Sequence, residues 1–216
     1  MHWRWDTCLV AWRGQYNDRF GYLTLILEAA ASQDLWIWHA FFGMPGTNYD
    51  VTVLDHSPLF NKYMDGTAPP VEYEVNRTRY NLSYYLTDGI YPRHAVFTQA
   101  VRSPVTAKER AFTTLQEACR KDISWAFSVL QQKWRILQMP TRLRQTSDLL
   151  CAITTCIILH NMVVEDERGQ DLPEWTPPTE EDQSMPMGYA TVDEVRLLYR
   201  NMEVNDRLRE DLMNHQ

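Results

Sequence analysis

The sequence predicts an α/β fold, and three observations support that prediction. Short runs rich in aromatic and aliphatic residues occur throughout the first hundred residues and indicate β-strands. From residue 106 onward, apolar residues recur every three or four positions, which indicates amphipathic helices. The chain has 216 residues, 44% of them hydrophobic, which is enough for one domain with a sizeable core and a tail.

Two strands, a loop and a short helix are predicted in the N-terminal third. The run at 22–31 is apolar nearly throughout, as in a strand that is buried on both faces. Residues 35–42 hold two tryptophans and two phenylalanines, which favours a second strand. Glycines and a proline at 43–48 predict a loop, and the apolar spacing from Tyr49 predicts a helix that Pro58 ends.

Smaller strands are predicted in the middle of the chain. A Pro-Pro turn precedes a hairpin that includes residues 71–75, and residues 80–91 contain a further strand. That strand ends at Asp88 and Gly89, because Asp-Gly is a strong turn dipeptide. Residues 95–101 predict one more short strand.

Two helices follow. Apolar residues at helical spacing predict one long helix from residue 106 to residue 137, and Pro140 separates it from a second helix at 146–164. The second helix is apolar almost all round between residues 149 and 159, so we expect it to be buried.

The C-terminal part differs from the body in composition. Residues 164–216 carry five basic and 14 acidic side chains, whereas residues 1–163 carry 16 basic and 14 acidic ones. Prolines and acids at 168–190 predict a disordered acidic linker, and the apolar spacing in 191–216 predicts a C-terminal helix.

The body contains a basic region although the formal net charge of the chain is -7. Residues 93–144 hold ten basic and three acidic side chains, and binding to a phosphate backbone requires a local positive field of this kind. A solvated helix face has the same composition, and charge alone does not separate the two interpretations.

Neither a zinc site nor a membrane segment is predicted. The cysteines at 8, 119, 151 and 156 form no CxxC pair and have no histidine pair after them, so we expect buried free thiols. No run reaches the roughly 18 to 20 apolar residues that span a bilayer, and the N-terminus has no apolar signal-peptide core. We therefore expect an intracellular protein.

Five stretches carry a family pattern: MHWRWDTCLVAWRGQY at 1–16, the block at 26–60, YYLTDGIYP at 84–92, RKDISWAFSVLQQKW at 120–134 and CIILHNMVVEDE at 156–167. In this order they resemble the plant transposon proteins of the PIF/Harbinger class, which are DDE-type transposases. The resemblance covers residues 1–167 and identifies them as a DDE catalytic domain that lacks its first strand.

The resemblance implies a fold, a cofactor and partners. The fold is an RNase H-like mixed sheet flanked by helices, which holds three carboxylates around two Mg²⁺ or Mn²⁺ ions. Two such ions activate a water or a 3′-hydroxyl and stabilise the leaving oxygen of a DNA phosphodiester. The implied partners are DNA at transposon ends and a separate Myb-like DNA-binding protein, an oligomer is compatible with the pattern, and the implied location is the nucleus.

The family pattern also implies three carboxylate positions. The first Asp would precede Met1, and Asp6 lies beyond the strand position that the motif defines. The second matches Asp88, with Asp50 as a further candidate ligand; a turn residue and a helix N-terminal carboxylate are the structural alternatives. Ser124 occupies the position of the Glu and is a poor ligand for Mg²⁺.

These departures predict that cleavage and strand transfer are impaired in this chain, and the alternative is a domesticated, non-catalytic nuclear protein that binds DNA or protein. The candidate DNA contacts are the basic residues on and after the long helix: Arg120, Lys121, Lys133, Arg135, Arg142 and Arg144. Solvated surface charge is an equal alternative for each of them. We expect His160, Trp36 and Trp38 to be core residues.

Overall fold

The computed structural model describes residues 1–61, 65, 71–168 and 201–215. The linker predicted at 168–190 lies, apart from its first residue, outside the described residues. The chain divides into two compact units, which we call unit 1 (Met1–Ser57 with Lys121–Pro173) and unit 2 (Pro58–Arg120 with Glu174–Gln216).

The described residues form a mixed α/β structure, as predicted. The strands are β1 (His2–Arg4), β2 (Thr24–Ala31), β3 (Ile37–Pro45), β4 (Tyr73–Val75), β5 (Thr78–Tyr80), β6 (Tyr85–Thr87) and β7 (Phe97–Gln99). The helices are α1 (Arg13–Tyr16), α2 (Asp50–His56), α3 (Ala107–Arg120), α4 (Asp122–Lys133), α5 (Arg135–Gln138), α6 (Thr146–Glu167) and α7 (Met202–Asn214).

Unit 1 contains an antiparallel sheet in the order β1-β2-β3. The strand predicted at 22–31 is β2, but it is fully buried only in its first half, whereas its second half is half-buried. β3 continues to Pro45, so the predicted loop was wrong for residues 43–45. The strand can continue because Gly43 adopts a φ of 116°, which favours glycine, and because a proline is tolerated at the end of an edge strand.

Two N-terminal tryptophans lie at the centre of the core of unit 1. Trp3 and Trp5 are 1% and 0% exposed. Their indole N–H groups donate hydrogen bonds to the carbonyl oxygens of Met139 (3.1 Å) and Leu143 (2.7 Å). Because these bonds satisfy the buried donors, the large apolar rings are buried without a desolvation penalty at the nitrogen. The rings pack among aliphatic side chains of the sheet and helices: Leu25, Leu27, Ile37, Leu130, Leu137, Leu149, Ile153 and Ile157.

Two adjacent side chains fix α6 to β3. The Asn161 amide donates to the carbonyl oxygen of Ile37 at 2.8 Å, and its Oδ1 accepts from the Ile37 N–H at 2.9 Å. His160 is fully buried, and its Nε2 lies 2.9 Å from the carbonyl oxygen of Leu35. This confirms the prediction that His160 is a hydrogen-bonded core residue.

The opposite face of α6 is exposed, so the prediction that the whole helix is buried was wrong. Leu150, Ile158 and Met162 are 50%, 55% and 58% exposed. By length and composition alone α6 could cross a membrane, a criterion that core helices of soluble proteins also meet. The sequence prediction considered only uninterrupted apolar runs and did not identify this helix.

The single helix predicted at 106–137 is three helices. α3 ends at Arg120, α4 begins at Asp122, and α5 follows Trp134, whose ψ of 94° lies outside the helical region. This stretch contains no glycine or proline, so its apolar spacing alone did not reveal the breaks. The first break coincides with the boundary between the units, and α3 and α4 therefore contribute to different cores.

Unit 2 contains two pairs of strands with α3 and α7. β4 and β5 form the predicted antiparallel hairpin, and β6 and β7 pair in parallel. β6 is shorter than predicted but ends directly before Asp88, as expected. β7 lies within the strand predicted at 95–101, and α7 lies within the helix predicted at 191–216.

Buried polar side chains join α7 to the strands of unit 2. Asp211 accepts hydrogen bonds from the Tyr80 hydroxyl at 2.6 Å and from the Asn76 amide at 3.2 Å. Asn205 is 4% exposed and donates to the carbonyl oxygen of His94 at 2.7 Å. Because these partners lie far away in sequence, the bonds fix the helix to this unit.

All four cysteines are free thiols. Cys8 and Cys156 are buried, as predicted, and burial raises the pKa of both thiols. Cys119 is half-buried and Cys151 is exposed, so the prediction of buried thiols was wrong for Cys151. Cys151 belongs to the open face of α6, which the sequence prediction did not anticipate.

Candidate functional site

Asp88 lies directly after β6 in unit 2, at an open strand end. Its side chain is 52% exposed, and its carbonyl oxygen accepts a hydrogen bond from the Tyr91 N–H at 3.2 Å. A Cβ added to Gly89 would meet no atom within 4 Å, so the space beside the turn is open. Asp88 is therefore both a turn residue and a carboxylate that a ligand in solution can reach.

Gln116 of α3 fixes the strand end that carries Asp88. Its amide nitrogen donates to the carbonyl oxygens of Thr87 (3.1 Å) and Thr98 (3.0 Å), one from each strand of the parallel pair. Gln116 is 3% exposed, so these bonds are made out of contact with water. The sequence prediction missed this residue; its spacing of four from the apolar Phe112 is the signal that could have found it.

Arg120, the last residue of α3, lies beside Asp88. The distance from Arg120 Nη1 to Asp88 Oδ2 is 3.6 Å, and the two side chains are 32% and 52% exposed. An ion pair this exposed contributes at most about 1 kcal/mol. The predicted DNA contact Arg120 and the predicted metal ligand Asp88 thus form an ion pair. A phosphate would compete with Asp88 for Arg120, and a cation would compete with Arg120 for Asp88.

Asp50 begins α2 in unit 1, which agrees with its interpretation as a helix N-terminal carboxylate. Its charge acts on the buried α-amine of Met1. Burial lowers the pKa of that amine to about 6, and the carboxylates of Asp50 and Glu28 oppose the shift. The amine donates to the carbonyl oxygen of Leu27 at 2.8 Å.

Glu28, His39 and Ser57 form a polar cluster in unit 1 that the sequence prediction missed. The Ser57 hydroxyl donates to Glu28 Oε2 at 2.7 Å, and His39 Nε2 lies 3.0 Å from that hydroxyl and 3.2 Å from the carboxylate. A Ser-His-acid triad uses opposite ring nitrogens for nucleophile and acid, whereas both contacts here use one nitrogen. We therefore interpret the cluster as structural. Glu28 is the one charged residue of the mainly apolar β2, which is its signal in the sequence.

Ser124 lies on the exposed side of α4 in unit 1. Its carbonyl oxygen accepts a hydrogen bond from the Ser128 hydroxyl at 2.9 Å, and the neighbouring Trp125 is 66% exposed. The position of the expected Glu thus carries a small neutral hydroxyl on an open helix surface.

The donors that the described residues offer do not fit a two-metal site. Across residues 1–61, 65, 71–168 and 201–215, three or more His, Cys, Asp or Glu side chains are nowhere grouped so that they could hold a metal ion. Asp88 has a guanidinium rather than a second acid beside it, and Ser124 offers no charge. Hard divalent cations bind through several oxygen ligands, carboxylates among them, at close range.

The six predicted DNA contacts fall into two groups. Arg120 pairs with Asp88, and Lys133 lies 3.1 Å from Glu167. The other four are exposed, belong to unit 1 and form no ion pair within the described part of the chain: Lys121, Arg135, Arg142 and Arg144. Cations left without an acidic partner are available to phosphate groups.

Trp38 is 69% exposed, so the prediction that it is a core residue was wrong. The neighbouring Trp36 is half-buried, its ring centroid lies 5.9 Å from that of Trp38, and the Arg168 guanidinium lies over it at 4.9 Å. The difference arises because Trp38 follows the buried Ile37 in β3, and successive side chains of a strand point to opposite faces of the sheet.

One comparison with known proteins gives a match. A family model described as plant transposon protein matches residues 1–171. No curated protein and no solved structure matches the chain.

Proposed function

This chain belongs to the plant transposon protein family, and from that premise we propose that residues 1–167 are a DDE-type transposase domain of the PIF/Harbinger class. By descent, such a domain cleaves and joins DNA phosphodiesters. We propose that this chemistry is impaired here and that DNA binding persists. The proposal depends on one observation above all, the neutral Ser124 at the position of the expected Glu.

Two local features favour the proposed RNase H-like fold for this domain, although the described strands form three separate sheets rather than one mixed sheet. Unit 1 supplies the antiparallel β1-β2-β3 sheet, and unit 2 supplies a parallel pair with an acid directly after β6. A carboxylate at a strand end has a rigid support, which metal-ion catalysis requires of its ligands. We further propose that residues 168–190 are a linker and that residues 191–216 form a terminal helix.

The proposed impairment follows from the chemistry of the ligands. Mg²⁺ and Mn²⁺ prefer charged oxygen donors, and a serine hydroxyl compensates little of their charge. Asp88, in turn, is shared with Arg120. Because the residues present do not fit two metal ions, we assign no metal-dependent step to them.

A cleavage assay tests the impairment. We expect duplex DNA that carries transposon ends to remain uncut above background in Mg²⁺ or Mn²⁺, both with the unmodified chain and with Asp88→Ala. Robust cutting that disappears in Asp88→Ala would show that the site is functional. A second assay measures Mn²⁺ binding by Ser124→Glu, with Ser128→Glu on the same exposed side as its matched control. Binding by the Ser124→Glu variant and not by the control would show that position 124 belongs to an inherited metal site.

We propose that the four exposed cations of unit 1 bind the phosphate backbone of nuclear DNA. The expected binding is independent of sequence and weakens as salt rises, because each contact releases a condensed counterion. Fluorescence anisotropy with a duplex measures both properties. Combining Arg142→Ala with Arg144→Ala removes two phosphate contacts. The slope of log affinity against log salt should therefore become less negative by about two. Lys133→Ala is the control, because Glu167 already neutralises that ammonium, and an equal effect in both variants contradicts the assignment.

The alternative is a domesticated protein that binds a Myb-like protein rather than DNA. Its support is the acidity of residues 164–216. α7 is an unsuitable docking element, since Leu208 and Asp211 are buried within unit 2. Replacing residues 169–200 with a neutral Gly/Ser segment of equal length leaves α7 in place. Loss of partner pull-down in that variant favours the alternative, and unchanged pull-down rejects it.

A further inference from the structure

Asp88 and Gly89 form an Asp-Gly dipeptide at the turn that follows β6. Both residues are exposed, as is Ile90 after them, and the Asp88 side chain is 52% exposed. A Cβ added to Gly89 would meet no atom within 4 Å, and the glycine itself has none. Solvent therefore reaches both residues of the dipeptide.

The turn backbone does not hold the Asp88 carboxylate. Within the described part of the chain, its one polar contact is with Arg120 at 3.6 Å, which is too long for a hydrogen bond. At two other turns the carboxylate is bonded to the chain itself. Oδ1 of Asp18 and Oδ1 of Asp34 each accept from the N–H two residues later, at 2.9 and 3.3 Å. The Asp88 carboxylate lacks such a bond and can rotate toward the next amide group.

The next amide group belongs to Gly89, and its N–H is available. Among the described residues it makes no hydrogen bond, whereas the Tyr91 N–H in the same turn donates to the carbonyl oxygen of Asp88 at 3.2 Å. Glycine also restricts its backbone least and puts no side chain beside its nitrogen. An electrophilic carboxyl carbon and an unbonded amide nitrogen therefore lie in adjacent residues, which favours an intramolecular reaction between them.

We propose that Asp88 is a site of spontaneous isomerisation to isoaspartate. The Gly89 amide nitrogen forms a bond to Cγ of Asp88, and the bond from Cγ to one carboxyl oxygen breaks. That oxygen leaves as water with the amide hydrogen and the carboxyl proton, and the product is a cyclic succinimide. Water then opens the ring: attack on Cγ restores aspartate, and attack on the main-chain carbonyl carbon gives isoaspartate. The reaction needs water alone and leaves the mass of the chain unchanged.

The isomer alters the end of β6. Its main chain runs through the former side chain of residue 88, so the backbone gains a carbon atom and the carboxylate moves onto Cα. We expect the ion pair with Arg120 to be lost, because the 3.6 Å distance depends on the present position of the carboxylate. Gln116 holds the carbonyl oxygen of Thr87, before the altered residue, so β6 should stay paired with β7. The isomerisation does not depend on the DNA binding proposed above.

Peptide mapping of the folded full chain tests the site. The chain is kept at neutral pH and physiological temperature for weeks and is then digested with trypsin. Cleavage after Arg79 and Arg93 gives the peptide 80–93, in which Asp88 is the sole aspartate. The second Asp-Gly dipeptide of the sequence, at 65–66, falls in the separate peptide 63–77. A change in peptide 80–93 therefore reports on Asp88.

We expect peptide 80–93 to separate into two chromatographic peaks of equal mass. The new peak should accept a methyl group from S-adenosylmethionine in the presence of an isoaspartyl methyltransferase, which methylates isoaspartate and not ordinary aspartate. A single peak from the folded chain, under conditions in which the free peptide 80–93 isomerises, would show that the fold protects the dipeptide. That result overturns the proposal.

Two variants identify the reacting atoms. Gly89→Ala keeps Asp88 and has room for its methyl group, but that group hinders the approach of the nitrogen, so the new peak should form several-fold more slowly. Asp88→Glu keeps the charge, but its carboxyl group can react only through a larger ring, so the new peak should be absent. Equal rates in Gly89→Ala and the unmodified chain overturn the proposal, as does a second peak of equal mass in Asp88→Glu.

Discussion

In unit 1, two buried tryptophans and the aliphatic side chains around them hold the helices against the sheet. In unit 2, buried polar side chains add to the apolar packing, since Gln116 joins α3 to the parallel strands and Asp211 joins α7 to the hairpin. Apolar packing fails when a cavity opens and does not depend on pH. A polar contact fails when it loses a partner or a proton, so the two units should respond to different perturbations.

The largest effect is expected in the apolar core. Trp5→Ala should lower the free energy of unfolding by about 3–5 kcal/mol, because it leaves a large cavity among aliphatic side chains. Trp125→Ala is the matched control, since that ring is 66% exposed, and should change stability by at most about 0.5 kcal/mol. Denaturant unfolding followed by circular dichroism measures both. Equal effects would show that the core is not centred on Trp5.

The next effect tests the polar contacts of unit 2. Gln116→Ala should cost about 1–3 kcal/mol, because it leaves two buried carbonyl oxygens without their donor. Hydrogen exchange should become faster in β6 and β7 and stay unchanged in β2 and β3. Glu117→Ala, at the adjacent exposed position, is the control. Faster hydrogen exchange in both units would contradict the proposal that Gln116 stabilises unit 2 alone.

The same contrast predicts a pH dependence that originates in unit 2. The hydrogen bond from Tyr80 lowers the pKa of the Asp211 carboxyl below its usual 3.8. The folded state therefore binds fewer protons than the unfolded state near that pH. The stabilisation is present above pH 3.8 and is lost as pH falls below it.

The phenol sets the alkaline limit. Burial, followed by the bond to Asp211, raises the pKa of Tyr80 above its usual 10.0, so this contribution is lost as pH rises above that value. Asp211→Asn should remove the acid limb of the stability profile, and Tyr80→Phe should remove the alkaline limb. Urea midpoints measured from pH 3 to pH 11 test this, and unchanged limbs in either variant would contradict it.

The sequence predicted the elements better than their surroundings. β2, β3, α2 and α6 follow from apolar spacing and turn residues, because those signals are local. The breaks around Lys121 and Trp134 were not predicted, since the apolar spacing continues without interruption across both of them. Whether a helix face is covered also depends on distant parts of the chain, which explains the error for α6.

In the candidate site, too, only the residues with a local sequence signal could be predicted. Asp88 could be predicted from a local turn dipeptide and a family pattern. The spacing of Gln116 from Phe112 indicates only that it lies on the buried side of a helix. Its role could not be predicted, because that role depends on two carbonyl oxygens that lie 18 and 29 residues away in sequence. The Glu28, His39 and Ser57 cluster likewise arises only when distant residues are brought together by the sheet.

The smallest expected effect is that of Asp88→Ala, which tests whether the Asp88 carboxylate affects DNA binding or the stability of β6 and β7. Asp88→Ala should change stability by at most about 0.5 kcal/mol, because the exposed pair with Arg120 contributes little. Duplex binding should rise slightly, since removing the acid frees the Arg120 guanidinium for phosphate. Arg120→Ala is the opposite variant and should lower duplex binding slightly at similar stability. If Asp88→Ala instead destabilises β6 and β7 as Gln116→Ala does, the Asp88 carboxylate stabilises the two strands, as Gln116 does, and is not only a solvent-exposed group at their end.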